Sequence, residues 1–241
     1  MIEAIVFDFD GLILDTELCD YLSWKETYED LGCELSLEKW TANIGSVDFF
    51  NPYLELQAQL GREVDLDAVY ARRKQRDREL LAEQVTLPGV EAYLEEAAAL
   101  GLKVAIASSA RRAWVEEHLG RLSLDHHFAA IRCRDDVGGC SKPDPAVYLA
   151  VLAALDVEPN RALALEDSPN GVWAAKRAGL YCVAVPNQMT RNLNFDHADC
   201  RLASLDEISL GQLVARCVRK RPATDDRGKD SSSKTHRNSR V

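Results

Sequence analysis

The stretch "IVFDFDGLILDTE", residues 5–17, decides how the rest of the chain is read. It opens as an apolar run, Ile2–Asp8, of the kind that forms a strand buried on both faces. At its end stand Asp8 and Asp10, with Gly11 directly after. Side chains alternate along a strand, so Asp8 and Asp10 are expected to project together while Phe7 and Phe9 point the other way. Two carboxylates at the end of a buried strand repel one another and lose hydration. A hard divalent cation between them relieves both costs. Gly11 then permits a sharp turn and close approach of a ligand. Taken alone, the same four residues equally suit a solvated strand end.

Outward from this stretch, strand and helix alternate from residue 87 onward. "LPGVEAYLEEAAALG" predicts a helix with Val90, Tyr93, Leu94, Ala97 and Leu100 on one face and Gly101 as its stop. "LKVAIASS" (102–109) reads as a doubly buried strand, "AWVEEHLGRL" as a helix and "FAAIRC" as a short strand. "DPAVYLAVLAALDV" is a helix with Asp144 as N-cap and Pro145 in its first turn. "ALALED" is a strand, and "SPNGVWAAKRAG" a helix capped by Ser168 and stopped at Gly179. "LYCVAVP" is the next strand. This rhythm predicts an α/β fold, a Rossmann-like parallel sheet with helices on both faces.

Residues 16–85 break the rhythm. "LCDYLSWKETYEDLG" puts Tyr21, Trp24, Tyr28 and Leu31 on one helical stripe, and "DLDAVYARRKQRDRELLAEQV" is a long, highly charged helix. With no strand signal, the segment reads as an inserted α-helical cap over the carboxyl ends of the strands, where open α/β sheets bind ligands. The expected division is a core of residues 1–15 and 86–215, a cap of 16–85 and a tail of 216–241.

Composition sets the outer limits. The 241 residues are 46% hydrophobic and 28% charged, ordinary for a soluble globular chain. No apolar run reaches membrane-spanning length, and the N-terminus has no signal-peptide pattern, so a cytoplasmic protein is expected. The seven cysteines are odd in number and form no CxxC pair, which favours buried free thiols over disulfides or zinc. The net charge is −10. Residues 219–241 hold eight Lys/Arg against three Asp/Glu, which leaves −15 on the remainder. So acidic a body argues against nucleic-acid binding. The Ser/Lys/Arg-rich tail has too few apolar residues to bury a core and is expected to be disordered.

Three further places carry chemistry. Glu166 and Asp167 end the "ALALED" strand just before a capped helix. Alone they are ordinary acids at a helix N-terminus. Beside Asp8 and Asp10 on an adjacent strand they make four converging acids, which a metal would compensate. Lys142 lies on the loop "SKPDP". Ser108 and Ser109 end the strand from residue 102, where a hydroxyl and helix-start N–H groups suit phosphate oxygens.

The run "DFDGLILDTE", the Ser108 strand end, "SKPDPAVYLAVLAALDVEP" and "LEDSPNGVWAAKRAG", in this order and spacing, resembles the haloacid dehalogenase-like phosphohydrolases. The nearest subgroup holds the β-phosphoglucomutase-like and sugar-phosphatase-like members with a helical cap. The resemblance covers about residues 1–210. It implies that Asp8 is the nucleophile, forming an aspartyl-phosphate, and that Asp10 is general acid and then general base. It further implies Mg²⁺ held by Asp8, Asp10 (through its carbonyl) and Asp167, with Glu166 close by or ligating. Ser108, Ser109 and Lys142 would bind the phosphoryl group, and Thr16 and Glu17 would stand at the hinge into the cap, Thr16 within reach of phosphate. The implied substrate is a small phosphorylated metabolite, and subgroup members are often monomers.

Three departures or matches narrow the activity. Dehalogenases lack the aspartate found here as Asp10, so dehalogenation is not expected. β-Phosphoglucomutases carry a histidine four residues before the tryptophan equivalent to Trp24, where this chain has Asp20. They also carry a cap-loop arginine, whereas "NIGSVDFF" (43–50) has no basic residue; Arg72, Arg73 and Lys74 are the nearest substitutes. Both departures favour a phosphatase over a mutase, with a non-catalytic binding protein as the remaining alternative. Gly45 and Ser46 are expected over the substrate, with Phe49, Phe50 and Tyr53 as apolar walls.

Overall fold

In the computed structural model, residues 1–43 and 50–220 are described. Gly45, Ser46, Phe49 and the tail beyond Lys220 lie outside the described residues.

Alternation of bulky and small residues builds the sheet. Strands β1 (Ala4–Phe7), β2 (Lys103–Ser108), β3 (Ala130–Cys133), β4 (Ala162–Glu166), β5 (Tyr181–Ala184) and β6 (Cys200–Arg201) are all parallel, in the order β3-β2-β1-β4-β5-β6. The register aligns Ile5 with Val104 and Leu163, and Phe7 with Ile106 and Leu165. These bulky residues share one face with Tyr93, Leu94, Val115 and Leu119. The opposite face carries Ala4, Val6, Ala105, Ala107, Ala162 and Ala164, and packs against Val151, Leu152, Val172 and Ala175. Each strand therefore reads as an unbroken apolar run because both faces are covered.

The covering helices are α5 (Val90–Ala99), α6 (Arg112–Leu122) and α9 (Leu210–Lys220) on the bulky face, and α7 (Ala146–Leu155) and α8 (Pro169–Arg177) on the small one. Most of the predicted caps hold. Ser168 Oγ accepts from Gly171 N–H at 3.2 Å, with Pro169 behind it in the first turn. Some details differ. Helix α7 starts at Ala146 with Pro145 at the cap position, although Asp144 still accepts from Ala146 N–H at 2.8 Å. Leu100, expected on the buried face, is 51% exposed because α5 ends at Ala99. The boundary drawn at 215 falls inside α9, whose buried Cys217 keeps it on the core. All seven cysteines are free; Cys19, Cys133, Cys182 and Cys217 are buried, while Cys140 is exposed.

Between β1 and α5 lie α1 (Thr16–Asp30), α2 (Leu37–Asn43), α3 (Pro52–Leu60) and α4 (Leu66–Glu83), with no strand among the described residues of 16–85. Tyr21, Trp24 and Tyr28 form a separate apolar cluster with Leu35, Leu56 and Val69, and Met189 from the loop after β5 completes it. The charged character of α4 has a local reason. Its arginines face the acidic side of α1, where Arg76 grips Glu26 with two bonds, at 2.6 and 3.1 Å, and Arg72 pairs with Asp30.

Candidate active site

The strand order changes direction between β1 and β4, since the chain winds outward from β1 through β2 and β3, then from β4 through β5 and β6. Such a switch point opens a crevice at the carboxyl ends of the two central strands. Asp8 follows β1 there, and Glu166 and Asp167 close β4. Ligand-capable oxygens of these three buried acids lie within 4.8 Å of one another. Lys142 reaches in from the loop before α7. Its Nζ stands 2.7 Å from Asp8 Oδ1 and 2.7 Å from Glu166 Oε1, with the side chain 5% exposed.

Asp10 is brought to the same crevice, but its carboxylate is outside that three-acid cluster. The strand ends at Phe7 and the backbone turns through Gly11 at φ 78°, yet Asp8 and Asp10 still share the crevice while Phe7 and Phe9 are both in the core. All four acids reach the crevice, and three of them bring carboxylate oxygens within 4.8 Å of one another. Asp10 Oδ1 instead accepts from Trp114 Nε1–H at 2.9 Å, and Oδ2 from Ser108 Oγ–H at 3.5 Å; Thr16 also hydrogen-bonds it. Ser108 is fully buried, and its oxygen accepts Ala110 N–H at 2.9 Å. The neighbouring Ser109 lines the cavity and accepts Lys142 N–H at 3.0 Å.

Charge is concentrated here. Burial raises the Asp10 carboxyl above its usual range, with Asp8 adding to the effect and the Trp114 bond opposing it. Glu166 is pushed up to about 8 by burial and Asp8, against the pull of Lys142. Asp167 is raised well above its ordinary value by burial, then by Asp8 and Glu166. Burial disfavours the Lys142 ammonium, yet Asp8 and Glu166 outweigh it and hold the group charged above its ordinary value.

The donor set fits a hard cation. It is all oxygen, and Asp167 has no Lys or Arg within ion-pair distance among the described residues. Asp8 and Asp167 are the better candidates. Glu166 Oε1 is already ion-paired with Lys142 and accepts from Tyr148, and its Oε2 is packed towards Gly171.

Three contributors were absent from the sequence reading. Trp114 bonds Asp10. Tyr148 bonds Glu166. Asn187, in the loop after β5, donates to Asp167 Oδ2 at 2.9 Å and to the Gly11 carbonyl at 3.0 Å, tying β1's exit to β4's end. None stands in a motif that marks it, because each acts only through residues distant in sequence. Around the acids opens a cavity of about 480 Å³, whose lining includes Glu17, Asp20, Arg73, Asp77 and Leu81 of α1 and α4. Of the basic trio on α4, only Arg73 reaches it; Arg72 pairs with Asp30 and Lys74 lies over the Tyr70 ring. Phe50 and Tyr53 join the apolar cluster of the insert, without lining the cavity.

This geometry meets a known sequence pattern: the family model described as haloacid dehalogenase-like hydrolase matches residues 5–185. The chain belongs to the haloacid dehalogenase-like hydrolases. Among relatives of this hydrolase, the YhcW protein of Bacillus subtilis is 42% identical over 214 residues, covering 89% of this chain and 97% of that one. A phosphorylated carbohydrates phosphatase of Thermotoga maritima is 33% identical over 183 residues, 74% of this chain and 82% of that one. A beta-phosphoglucomutase of Bacillus subtilis is 30% identical over 190 residues, 76% of this chain and 83% of that one. No helix among the hydrolase's described residues is long and apolar enough to cross a membrane.

Proposed function

We propose that this hydrolase is a phosphatase of small phosphorylated metabolites, sugar phosphates or similar monoesters, acting through an aspartyl-phosphate on Asp8. The observation that carries the reading is Asp8 itself: a buried carboxylate clamped by Lys142 at 2.7 Å, beside Asp167, on the wall of a metabolite-sized cavity. Attack by a carboxylate on a phosphate dianion needs positive charge at the reacting centre, and Lys142 supplies one such charge. Asp10 protonates the leaving oxygen, then takes a proton from the hydrolytic water. Its raised carboxyl suits the first role, and the Trp114, Ser108 and Thr16 bonds hold it in place. Ser109, at the start of the loop into α6, faces the same space and receives phosphoryl oxygens. Mg²⁺, held by Asp8 and Asp167, would supply the further charge neutralisation that phosphoryl transfer requires. The four helices of the insert act as a cap that limits bulk water.

The test is p-nitrophenyl phosphate turnover with Mg²⁺, with and without EDTA, in wild type and Asp8→Asn. Turnover that needs the metal and vanishes in Asp8→Asn is expected; undiminished turnover in Asp8→Asn would remove the nucleophile from the scheme. The mutase reading is tested on glucose 1-phosphate with a bisphosphate primer. Free phosphate is expected, and isomerised product without it would reverse the preference. Asp20, where mutases carry histidine, favours phosphatase.

A further inference from the structure

The insert's share of the cavity lining comes from two helices, and its charge is lopsided. Glu17 and Asp20 come from α1, Arg73 and Asp77 from α4. Among the described residues that line the cavity, Arg73 and Lys142 are the only Lys or Arg, and Lys142 is committed to Asp8 and Glu166. Arg73 is committed as well. Its guanidinium donates through one terminal nitrogen to Asp20 Oδ1 and lies 5.5 Å from the centroid of the Trp24 ring. Its side chain is only 16% exposed, and its Nε is buried without a partner among the described residues. Glu17, Asp20 and Asp77 thus stand on this lining with a single guanidinium, and that guanidinium is already bonded to Asp20.

We propose that Asp20 sets substrate charge: by occupying Arg73, it restricts the cavity to phosphomonoesters whose remainder is uncharged and hydroxylated. The proposal rests on the phosphatase reading and deepens it. Carboxyl groups along a cavity wall accept hydrogen bonds from hydroxyls. A second phosphate or a carboxylate on the substrate meets the like charges of Asp20 and Asp77 there instead. Rejection by repulsion of this kind discriminates as effectively as an added contact. An arginine free of Asp20 would do the opposite and grip the second anion, since its fork matches phosphate and carboxylate.

The experiment compares kcat/KM for fructose 6-phosphate with fructose 1,6-bisphosphate, and for glucose 6-phosphate with 6-phosphogluconate, in wild type and Asp20→Asn. Wild type is expected to favour the singly charged-site substrate in each pair by about tenfold or more, about 1.4 kcal/mol. Asp20→Asn is expected to move both ratios towards the second anion by about tenfold. Because each ratio is taken within one protein preparation, a partial loss of folded enzyme cancels. Asp77→Asn serves as a second variant with a shift in the same direction. A wild-type preference for the bisphosphate or the acid, or ratios unmoved in Asp20→Asn, overturns the proposal while leaving the phosphatase reading intact. Folded wild type that hydrolyses no phosphomonoester, p-nitrophenyl phosphate included, brings down both.

Discussion

Lys142→Met is the substitution that tests the site's electrostatics most directly. The ammonium sits 2.7 Å from oxygens of two different acids, and the side chain is 5% exposed. Removing one partner of a buried ion pair costs about 3–5 kcal/mol, because the charges left behind lack compensation. Here the lower end applies, since Glu166 is already pushed up to about 8 and can take a proton near neutrality. A loss of about 3 kcal/mol in a chain of this size lowers Tm by about 6–12 °C. Activity should fall further in proportion, by about 10²–10³ in kcat, as for the loss of a preorganised electrostatic donor. Melting is followed by circular dichroism in EDTA, and turnover with p-nitrophenyl phosphate and Mg²⁺. The double variant Lys142→Met/Glu166→Gln separates the two effects: it should recover about half of the Tm loss while kcat stays low. A Tm within about 2 °C of wild type, or a kcat within tenfold, would refute the buried triad as the source of either effect.

Other outcomes follow from the same geometry. Mg²⁺ at 100 times its Kd should stabilise the protein by about 2.7 kcal/mol, raising Tm by about 5–11 °C; Asp167→Asn should abolish that shift, and an equal shift in the variant would exclude Asp167 as a ligand. Glu17 is pushed up to about 7 by burial and by neighbouring Asp20 and Asp10. Its folded form therefore holds a proton that the unfolded chain releases, so stability is full below about 4.5 and is lost as pH rises to about 7. Chemical denaturation across that window in EDTA should show a shallower decline for Glu17→Gln than for wild type; identical slopes would exclude the group. Gly171→Ala inverts the usual rule that alanine favours a helix. A Cβ at Gly171 would collide with the Glu166 carboxylate, so overpacking of about 1–3 kcal/mol outweighs the propensity gain, and a raised Tm would contradict the tight fit.

The extent to which the site could be read in advance varied with the kind of residue. Asp8, Lys142 and Asp167 each end or precede a regular element, so periodicity and capping placed them in the fold, while the family resemblance alone implied their roles. Asp10 faces the crevice beside Asp8, as alternation predicts, even though β1 ends at Phe7. Leu100 failed because its stripe was extended beyond the helix that supports it. Trp114, Tyr148 and Asn187 could not be found this way. Each supports an acid 104, 18 or 20 residues away, and a hydrogen bond across such distances leaves no local pattern.

Sequence by itself determined the parallel α/β layering, the helical insert after the first strand and the identity of the acids. Those follow from local rules, the period of the apolar residues and the grammar of caps and turns, which act over a few positions. Tertiary structure decided which acids meet, that Trp114 holds Asp10, and that Arg73 is paired with Asp20 at the cavity wall. Those depend on strand order and helix packing, which bring together groups far apart in the chain. The energy of a buried charge is set by its neighbours in space, so only the folded chain could assign it.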